Sequence, residues 1–184
     1  MSNILYVPVG KSGAGKDYIT DKICQDFNMK KVISRTTRKP RFKGENTHLF
    51  VSEEQANEEW AIAIARQPVP NKDKIDRYYT IEEDLKNKDF YLLFPTGVKS
   101  LKEKNIDVQI KTLYIKTPWY IRIFRMIRRG DSISNIIKRL TYEMSEFKGF
   151  KGDLNFKNND EMYIYFRDKN FLNYTLLDGF IKED

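Results

Sequence analysis

The sequence predicts a parallel α/β fold that carries a small mixed insertion. An apolar run leads into a glycine-rich loop, and a helix-period stretch and a second apolar run follow it. Between about residues 47 and 81 the pattern changes to short alternating segments, after which longer apolar runs resume. Strand, glycine loop, helix and strand in this order are typical of the start of a parallel sheet that is covered by helices.

Composition narrows the class of protein. The chain has 184 residues, 40% of them hydrophobic, and 33 basic against 26 acidic side chains give a net charge of +7. This favours one domain with a packed core and argues against bulk disorder. Cys24 and His48 are the only residues of their types, which excludes a disulfide framework and a multi-histidine metal site. Because no long apolar stretch or leader pattern is present, we expect a cytoplasmic protein without a membrane partner.

The first elements follow from hydrophobic spacing. Residues 3–9 form a short apolar run that ends at glycine, which favours a buried strand. Residues 16–27 place apolar side chains on one side at helical spacing, and residues 31–34 predict the next strand.

The middle of the chain predicts the small mixed insertion. Strands are expected at residues 48–51, 61–65 and 77–81, around a helix at 52–60. The segment 66–76 is rich in proline and charge and predicts an exposed loop.

Later apolar runs predict the rest of the core. We expect strands at residues 90–94, 112–115 and 162–166, and helices at 97–104, 118–129, 132–147 and 170–182. The polar residues 148–161, with two glycines and three asparagines, predict a loop.

The loop at residues 10–16 matches the pattern G-x-x-x-x-G-K between a predicted strand and a predicted helix. Glycines allow backbone N–H groups to turn inward around a phosphate, and Lys16 can reach the β and γ oxygens of a nucleotide. The alternative is a glycine-rich turn without a ligand. The predicted phosphate-binding residues are Gly10, Ser12, Gly13, Ala14, Gly15, Lys16 and Asp17.

Asp17 stands where this motif normally has serine or threonine as a magnesium ligand. A carboxylate can bind Mg²⁺ directly or through water, so we expect Asp17 to be the metal ligand. The alternative is an acidic residue that only stabilises the first helical turn.

A basic segment at residues 34–45 has the pattern S-x-T-T-R-x-P-R followed by G-E, and then His48-Leu49-Phe50-Val51. Together with the phosphate loop, this segment resembles guanylate kinase, which transfers a phosphoryl group from ATP to GMP. The resemblance continues through Tyr78-x-Thr80, residues 97–101 and the arginine-rich segment that ends at Arg139-Leu140.

The resemblance implies a P-loop kinase fold of three α/β/α layers with a parallel central sheet, a small inserted subdomain that binds the nucleoside monophosphate (NMP) and a helical, arginine-rich lid. By this resemblance the whole chain, residues 1–184, is a single domain. Its core would comprise residues 1–33, 83–120 and 136–184, its NMP-binding subdomain about 34–82 and its lid about 121–135.

The resemblance also implies which residues bind the acceptor. Arginines hold its phosphate, a serine and a threonine approach its base, and the glutamate orients the arginines. Tyr79 lies beside Tyr78 and could exchange roles with it. His48 stands where the family has a tyrosine, and a structural role for this histidine is an open alternative. The residues so implied are Ser34, Arg38, Arg41, Glu45, His48, Tyr78 and Thr80.

In the family, lid arginines neutralise charge on the transferring phosphoryl group. A helix presents positions 122, 125 and 129 on one face. The resemblance implies that Arg125, Arg129 and Arg139 act in catalysis with Lys16. Arg128 is an alternative, because the match to the family's sequence is one residue short around Gly130.

The base-reading carboxylates of the family have no clear counterpart. The corresponding places hold residues 61–66 and 92–96, with Glu59 as an uncertain candidate. The acceptor could therefore be GMP, dGMP or another (deoxy)nucleoside monophosphate.

The sequence thus predicts a magnesium-dependent kinase that uses ATP and a nucleoside monophosphate, acts as a monomer or homodimer and does not bind nucleic acid. Two alternatives stay open: a kinase of a different acceptor, and a related binding module that has lost turnover. The retained loop and arginines favour the enzyme.

Overall fold

We describe residues 4–40, 43–56, 59–68, 75–104 and 106–180 of a computed structural model, and only the backbone of 67–68 and 171–180. The helices are α1 (Lys16–Asp26), α2 (Pro95–Lys102), α3 (Trp119–Arg128), α4 (Ile133–Glu146) and α5 (Asn159–Phe180), with a 3-10 turn at Glu82–Leu85. The strands are β1 (Ile4–Val9), β2 (Arg35–Thr36), β3 (Leu49–Phe50), β4 (Ala61–Pro68), β5 (Ile75–Ile81), β6 (Gln109–Ile115) and β7 (Leu154–Phe156).

Backbone contacts divide the chain into two compact units. The first unit contains residues 1–7 and 30–112, and the second contains residues 8–29 and 113–184.

A three-stranded sheet has the order β1-β6-β7, and β6 and β7 run parallel. Phe90 forms parallel bridges with Tyr6 and with Lys31, so these segments continue the parallel arrangement in the first unit. The predicted parallel α/β class is confirmed. The predicted strand at 90–94 is reduced to the bridge at Phe90, because residues 91–94 form no ladder and α2 begins at Pro95.

The first unit also contains a four-stranded mixed sheet of order β3-β2-β5-β4. Strand β2 is parallel to β3 and antiparallel to β5, and β4 and β5 form an antiparallel pair. The buried side of β4, which includes Ile62, lies against α2.

Two expectations for this sheet are wrong. The segment predicted as a helix at 52–60 forms only turns among its described residues. Ser52 and Gln55 exchange side-chain and backbone hydrogen bonds of 3.1 and 3.2 Å, which close one turn. A single turn is too short to propagate without further packing. The predicted loop at 66–76 is shorter, because β4 continues to Pro68 and β5 begins at Ile75; residues 69–74 lie outside the described residues.

In the second unit, α1 packs against α5. Tyr163 of α5 donates a 2.8 Å hydrogen bond to Asp26, and its ring lies 5.6 Å from that of Phe27. The predicted strand at 162–166 is wrong, because these residues belong to α5. Met162 and Phe166, four positions apart, are fully buried, whereas Ile164 between them is exposed. This spacing of buried residues is typical of a helix.

Strand β7 is a second difference from the sequence-based expectation. It lies inside the predicted loop 148–161 and is stabilised by parallel pairing with Leu113, Tyr114 and Ile115 of β6. Three residues carry too little periodicity to identify such a strand from sequence.

Both tryptophan side chains are exposed, one in each unit: Trp60 is 71% exposed and Trp119 is 68% exposed. Among the described residues, no helix combines the length and hydropathy that crossing a membrane requires.

Candidate functional site

The predicted phosphate loop connects the end of β1 to α1, as the motif requires. Gly13 and Gly15 adopt left-handed backbone conformations, with φ of +77° and +85°, and Lys16 is the first residue of α1. Glycine takes this conformation without steric cost. Because the first N–H groups of a helix have no partner within it, the start of α1 presents backbone donors with which an anion can form hydrogen bonds.

The loop is closely packed by other parts of the second unit. A Cβ atom on Gly13 would lie 2.5 Å from the carbonyl oxygen of Arg122, which opens the second turn of α3. A Cβ atom on Gly15 would collide with the side-chain amide of Asn159, the first residue of α5. Both glycines therefore have a steric role as well as a conformational one.

Loop carbonyl groups are held by donors from the segment that leads into α3 and from α3 itself. Thr117 donates to the carbonyl oxygen of Ala14 at 3.1 Å. The guanidinium group of Arg125 donates to the carbonyl oxygens of Gly13 and Ala14, at 3.3 and 3.1 Å. Arg125, a predicted catalytic residue, thus contacts the loop directly.

A buried carboxylate completes these contacts. Oε1 of Glu143 accepts a hydrogen bond from the backbone N–H of Ser12, and Oε2 accepts one of 2.9 Å from Arg122. The side chain of Glu143 is 2% exposed and that of Arg122 is 6% exposed. Sequence reasoning missed Glu143, because it lies 131 positions after Ser12 in an ordinary helical pattern.

The remaining predicted residues of this unit lie at the surface. Arg129 forms a salt bridge with Asp131, which follows α3. Arg128 and Arg139 are exposed on α3 and α4, and Asp17 is exposed in the first turn of α1.

No group of three acidic, histidine or cysteine side chains able to hold a metal ion occurs in the part of the chain that the structure describes. The donor chemistry nevertheless suits Mg²⁺, which commonly takes one carboxylate together with substrate phosphates and water. Asp17 can supply that carboxylate.

In the first unit, the basic segment is organised around Arg38. Its guanidinium group forms a two-point contact with Glu45, at 2.7 and 3.2 Å, and Thr47 donates to the same carboxylate at 2.7 Å. Burial alone would lower the pKa of Arg38. The hydrogen bond with Glu45 and the neighbouring Tyr78 raise this pKa by more, so it lies above its ordinary value. The guanidinium group therefore stays charged.

One donor of this arginine is left over. Nε of Arg38 is buried and has no hydrogen-bond partner among the described residues. A buried charged donor without a partner is costly, and an acceptor such as a phosphate oxygen would satisfy this atom.

Aromatic residues surround the same segment. The guanidinium carbon of Arg38 lies 5.3 Å from the centre of the Phe50 ring. The ring of His48 packs edge-on against Tyr78 and Phe50, at 5.4 and 6.3 Å between centres. The structure thus brings His48 and Tyr78, two of the predicted acceptor residues, next to Arg38. Arg41 lies outside the described residues.

The two predicted base-contacting hydroxyl groups are linked through a third residue, which sequence reasoning missed. Tyr91 donates a 2.6 Å hydrogen bond to Thr80, and Ser34 also hydrogen-bonds to the Tyr91 hydroxyl. Thr80 is fully buried and Tyr91 is nearly so, whereas Ser34 is half-buried. Burial is the main cause that raises the pKa of Tyr91, so its hydroxyl stays protonated.

The positions of the missing carboxylates are apolar. Leu92 and Phe94 are half-buried, and Glu59 lies exposed in a turn. Asp84 is a carboxylate close to this cluster in space, but Arg35, the chain neighbour of Ser34, already engages it in a two-point salt bridge of 2.9 and 3.0 Å.

Comparison with known proteins adds evidence at the level of structure. No protein-family model matches the chain, and no curated protein matches it in sequence. A crystal structure of guanylate kinase from Anaplasma phagocytophilum is similar, with a TM-score of 0.56 and 18% sequence identity, over 95% of this chain and 86% of that chain. The fold is guanylate-kinase-like. At this identity the likeness describes the fold alone.

Proposed function

We propose that this protein is a nucleoside-monophosphate kinase that transfers the γ-phosphoryl group of ATP to GMP, dGMP or a related (deoxy)nucleoside monophosphate. The observation that carries the proposal is the loop at residues 10–16, in which two left-handed glycines lead directly into α1. This backbone presents N–H groups and Lys16 to a polyphosphate.

The acceptor phosphate is assigned to the first unit. The leftover Nε of Arg38 is a charged donor, Glu45 fixes the orientation of the guanidinium group, and Tyr78 supplies a neighbouring hydroxyl. Arg41 is included on the resemblance alone. Ser34 is the hydroxyl of the Tyr91 cluster that is exposed enough to meet a base.

Catalysis is assigned to positioning and charge stabilisation, because in-line phosphoryl transfer needs no covalent intermediate. Lys16 is assigned to the β and γ oxygens, and the exposed Arg129 and Arg139 are assigned to the charge on the transferring phosphoryl group. Arg125 acts through the loop carbonyls that it holds. Asp17 would hold Mg²⁺, which supplies positive charge to the phosphate oxygens when bound.

The proposal is tested by a coupled ADP-release assay with ATP, magnesium and each ribo- and deoxyribonucleoside monophosphate in turn. We expect turnover with at least one purine acceptor. Lys16→Ala should lower kcat/KM by about 1,000-fold or more, since it removes about 4 kcal/mol of charge stabilisation. Lys30→Ala, an exposed lysine after α1, is the matched control and should retain activity.

The acceptor panel also separates the alternatives. Turnover with a non-guanine acceptor alone would mean that the enzyme is not specific for guanine, which the apolar residues Leu92 and Phe94 allow. Nucleotide binding without turnover of any acceptor would contradict the enzyme and favour a binding module. Unchanged turnover in Lys16→Ala would contradict the role of the loop.

A further inference from the structure

A carboxylate that contacts a phosphate-binding loop is chemically unusual, because its negative charge repels the phosphate. Glu143 lies against the loop through the N–H of Ser12. Its charge is balanced by the equally buried guanidinium group of Arg122, at 2.9 Å. The pair is therefore close to neutral as a unit, and the repulsion is small.

The contact also decides which loop donors remain for a ligand. Since the N–H of Ser12 donates to Glu143, it does not point to a phosphate in this conformation. The loop makes a turn at this place, in which the N–H of Ala14 donates to the carbonyl oxygen of Lys11 at 3.0 Å. Glu143 and this turn thus fix the first half of the loop.

The same pair connects the loop to two helices. Arg122 belongs to α3 and Glu143 to α4, and the backbone of Arg122 packs against Gly13. Displacement of the Glu143 side chain would therefore break the contact between Ser12 and α4 and the link from Glu143 to α3, while Arg125 still holds the carbonyl groups of Gly13 and Ala14.

We propose that Glu143 and Arg122 are a positioning pair that holds the loop in its phosphate-binding conformation. The inference rests on the proposed function of the loop. Neither side chain contacts phosphate; Glu143 acts through the Ser12 N–H, and Arg122 acts by neutralising and orienting Glu143. Loss of the pair should weaken binding of the donor phosphates and leave the acceptor site unaffected.

The test compares three variants with a control on the same helix. Glu143→Leu removes the acceptor for the Ser12 N–H, whereas Glu143→Gln keeps an oxygen in its place. Because one buried charge left alone can unfold a protein, the double variant Arg122→Met with Glu143→Leu removes both charges together. Glu146→Gln is the control, since Glu146 accepts a surface hydrogen bond from Tyr142.

Binding is measured by calorimetry with tripolyphosphate and with MgATP, on variants shown to be folded by circular dichroism. We expect Glu143→Leu and the double variant to weaken both ligands at least 10-fold. Glu143→Gln should stay within about threefold of the wild type, and Glu146→Gln should match it. In the coupled assay, KM for ATP should rise while KM for the acceptor stays within twofold.

Amide hydrogen exchange at Ser12 gives an independent structural measurement. The exchange rate should rise at least 10-fold in the double variant and stay near the wild-type rate in Glu143→Gln. Unchanged exchange, or full tripolyphosphate affinity in the double variant, would overturn the positioning role.

Lys16→Ala separates this failure from failure of the proposed function. If Lys16→Ala loses ligand affinity while the double variant keeps it, only the positioning pair is wrong. If Lys16→Ala binds both ligands as tightly as the wild type does, the loop is not a phosphate site and the pair has no ligand to position.

Discussion

The phosphate loop and the basic segment reach their conformations in opposite ways. The loop is held by residues far along the chain, since Arg125 and Glu143 contact it from more than 100 positions away. In the basic segment β2 also pairs with the distant β5, but the guanidinium group of Arg38 is oriented by a near neighbour, because Glu45 is seven positions from Arg38. Loop carbonyl and N–H groups are bonded to these residues, whereas Arg38 keeps one buried donor for which the described part of the chain offers no hydrogen-bond partner. The first arrangement is built by tertiary packing, and the second retains a donor for a ligand.

The largest effect is expected at Gly13, where a substitution directly disturbs the packing of the loop against α3. Gly13→Ala places a Cβ 2.5 Å from the Arg122 carbonyl oxygen and adds about 1–2 kcal/mol of left-handed backbone strain. We expect loss of nucleotide binding and a clearly lower free energy of unfolding in urea.

Gly130→Ala is the matched control for Gly13→Ala. Gly130 also has a left-handed φ, of +88°, but apart from its chain neighbours no atom of the described residues lies within 4 Å of the added Cβ. Only the backbone strain should remain, and binding should be intact. Equal effects of the two variants would show that α3 does not constrain the loop.

A second prediction concerns the leftover donor of Arg38. Arg38→Lys removes Nε and the two-point contact with Glu45, so KM for the acceptor should rise about 100-fold, equivalent to nearly 3 kcal/mol for charged hydrogen bonds. KM for ATP should change less than twofold in the coupled assay. Lys39→Ala, the exposed neighbour, should leave both constants unchanged. A rise in both KM values would contradict a separate acceptor site.

The smallest effect is expected at Tyr91, which lies in the first unit. Tyr91→Phe removes the hydrogen bond to Thr80 and should lower the free energy of unfolding by about 1 kcal/mol near neutral pH. It should also change the ratio of kcat/KM between guanine and adenine acceptors by several-fold, because Ser34 loses its orienting partner.

The pH dependence of the same variant has a definite sign. Burial raises the pKa of Tyr91 above its ordinary value of 10.0, so the folded state holds the proton more tightly than the unfolded state. This stabilisation is complete below about pH 10 and is lost as pH rises further. Urea unfolding between pH 9 and 11 should therefore show a steeper decline for the wild type than for Tyr91→Phe; parallel declines would exclude a titrating Tyr91.

Sequence was sufficient for the elements that carry a local signature. The parallel α/β class and the strand-loop-helix around residues 10–16 were predictable because glycine spacing and hydrophobic period are local properties. The run Met162 to Phe166 was not, since a short apolar run fits a strand or a buried helix, and only burial at helical spacing decides between them.

The candidate sites divide in the same way. The residues of the loop and of the basic segment were accessible through motifs, whereas Glu143 and Tyr91 were not. Each of these two acts through a contact distant in sequence, with Ser12 and with Thr80 and Ser34. A buried carboxylate or hydroxyl has no composition or spacing signal of its own; its partner becomes visible only when the chain is folded.

The two exposed tryptophans, Trp60 and Trp119, give the protein a built-in pair of optical reporters. Because each unit contains one indole and the chain contains no others, replacing either by phenylalanine leaves emission from a single unit. Indoles in contact with water emit at long wavelength, and quenching or a blue shift on adding a nucleotide can be assigned to one unit. The order in which the units respond to ATP and to a monophosphate can thus be followed without an attached dye.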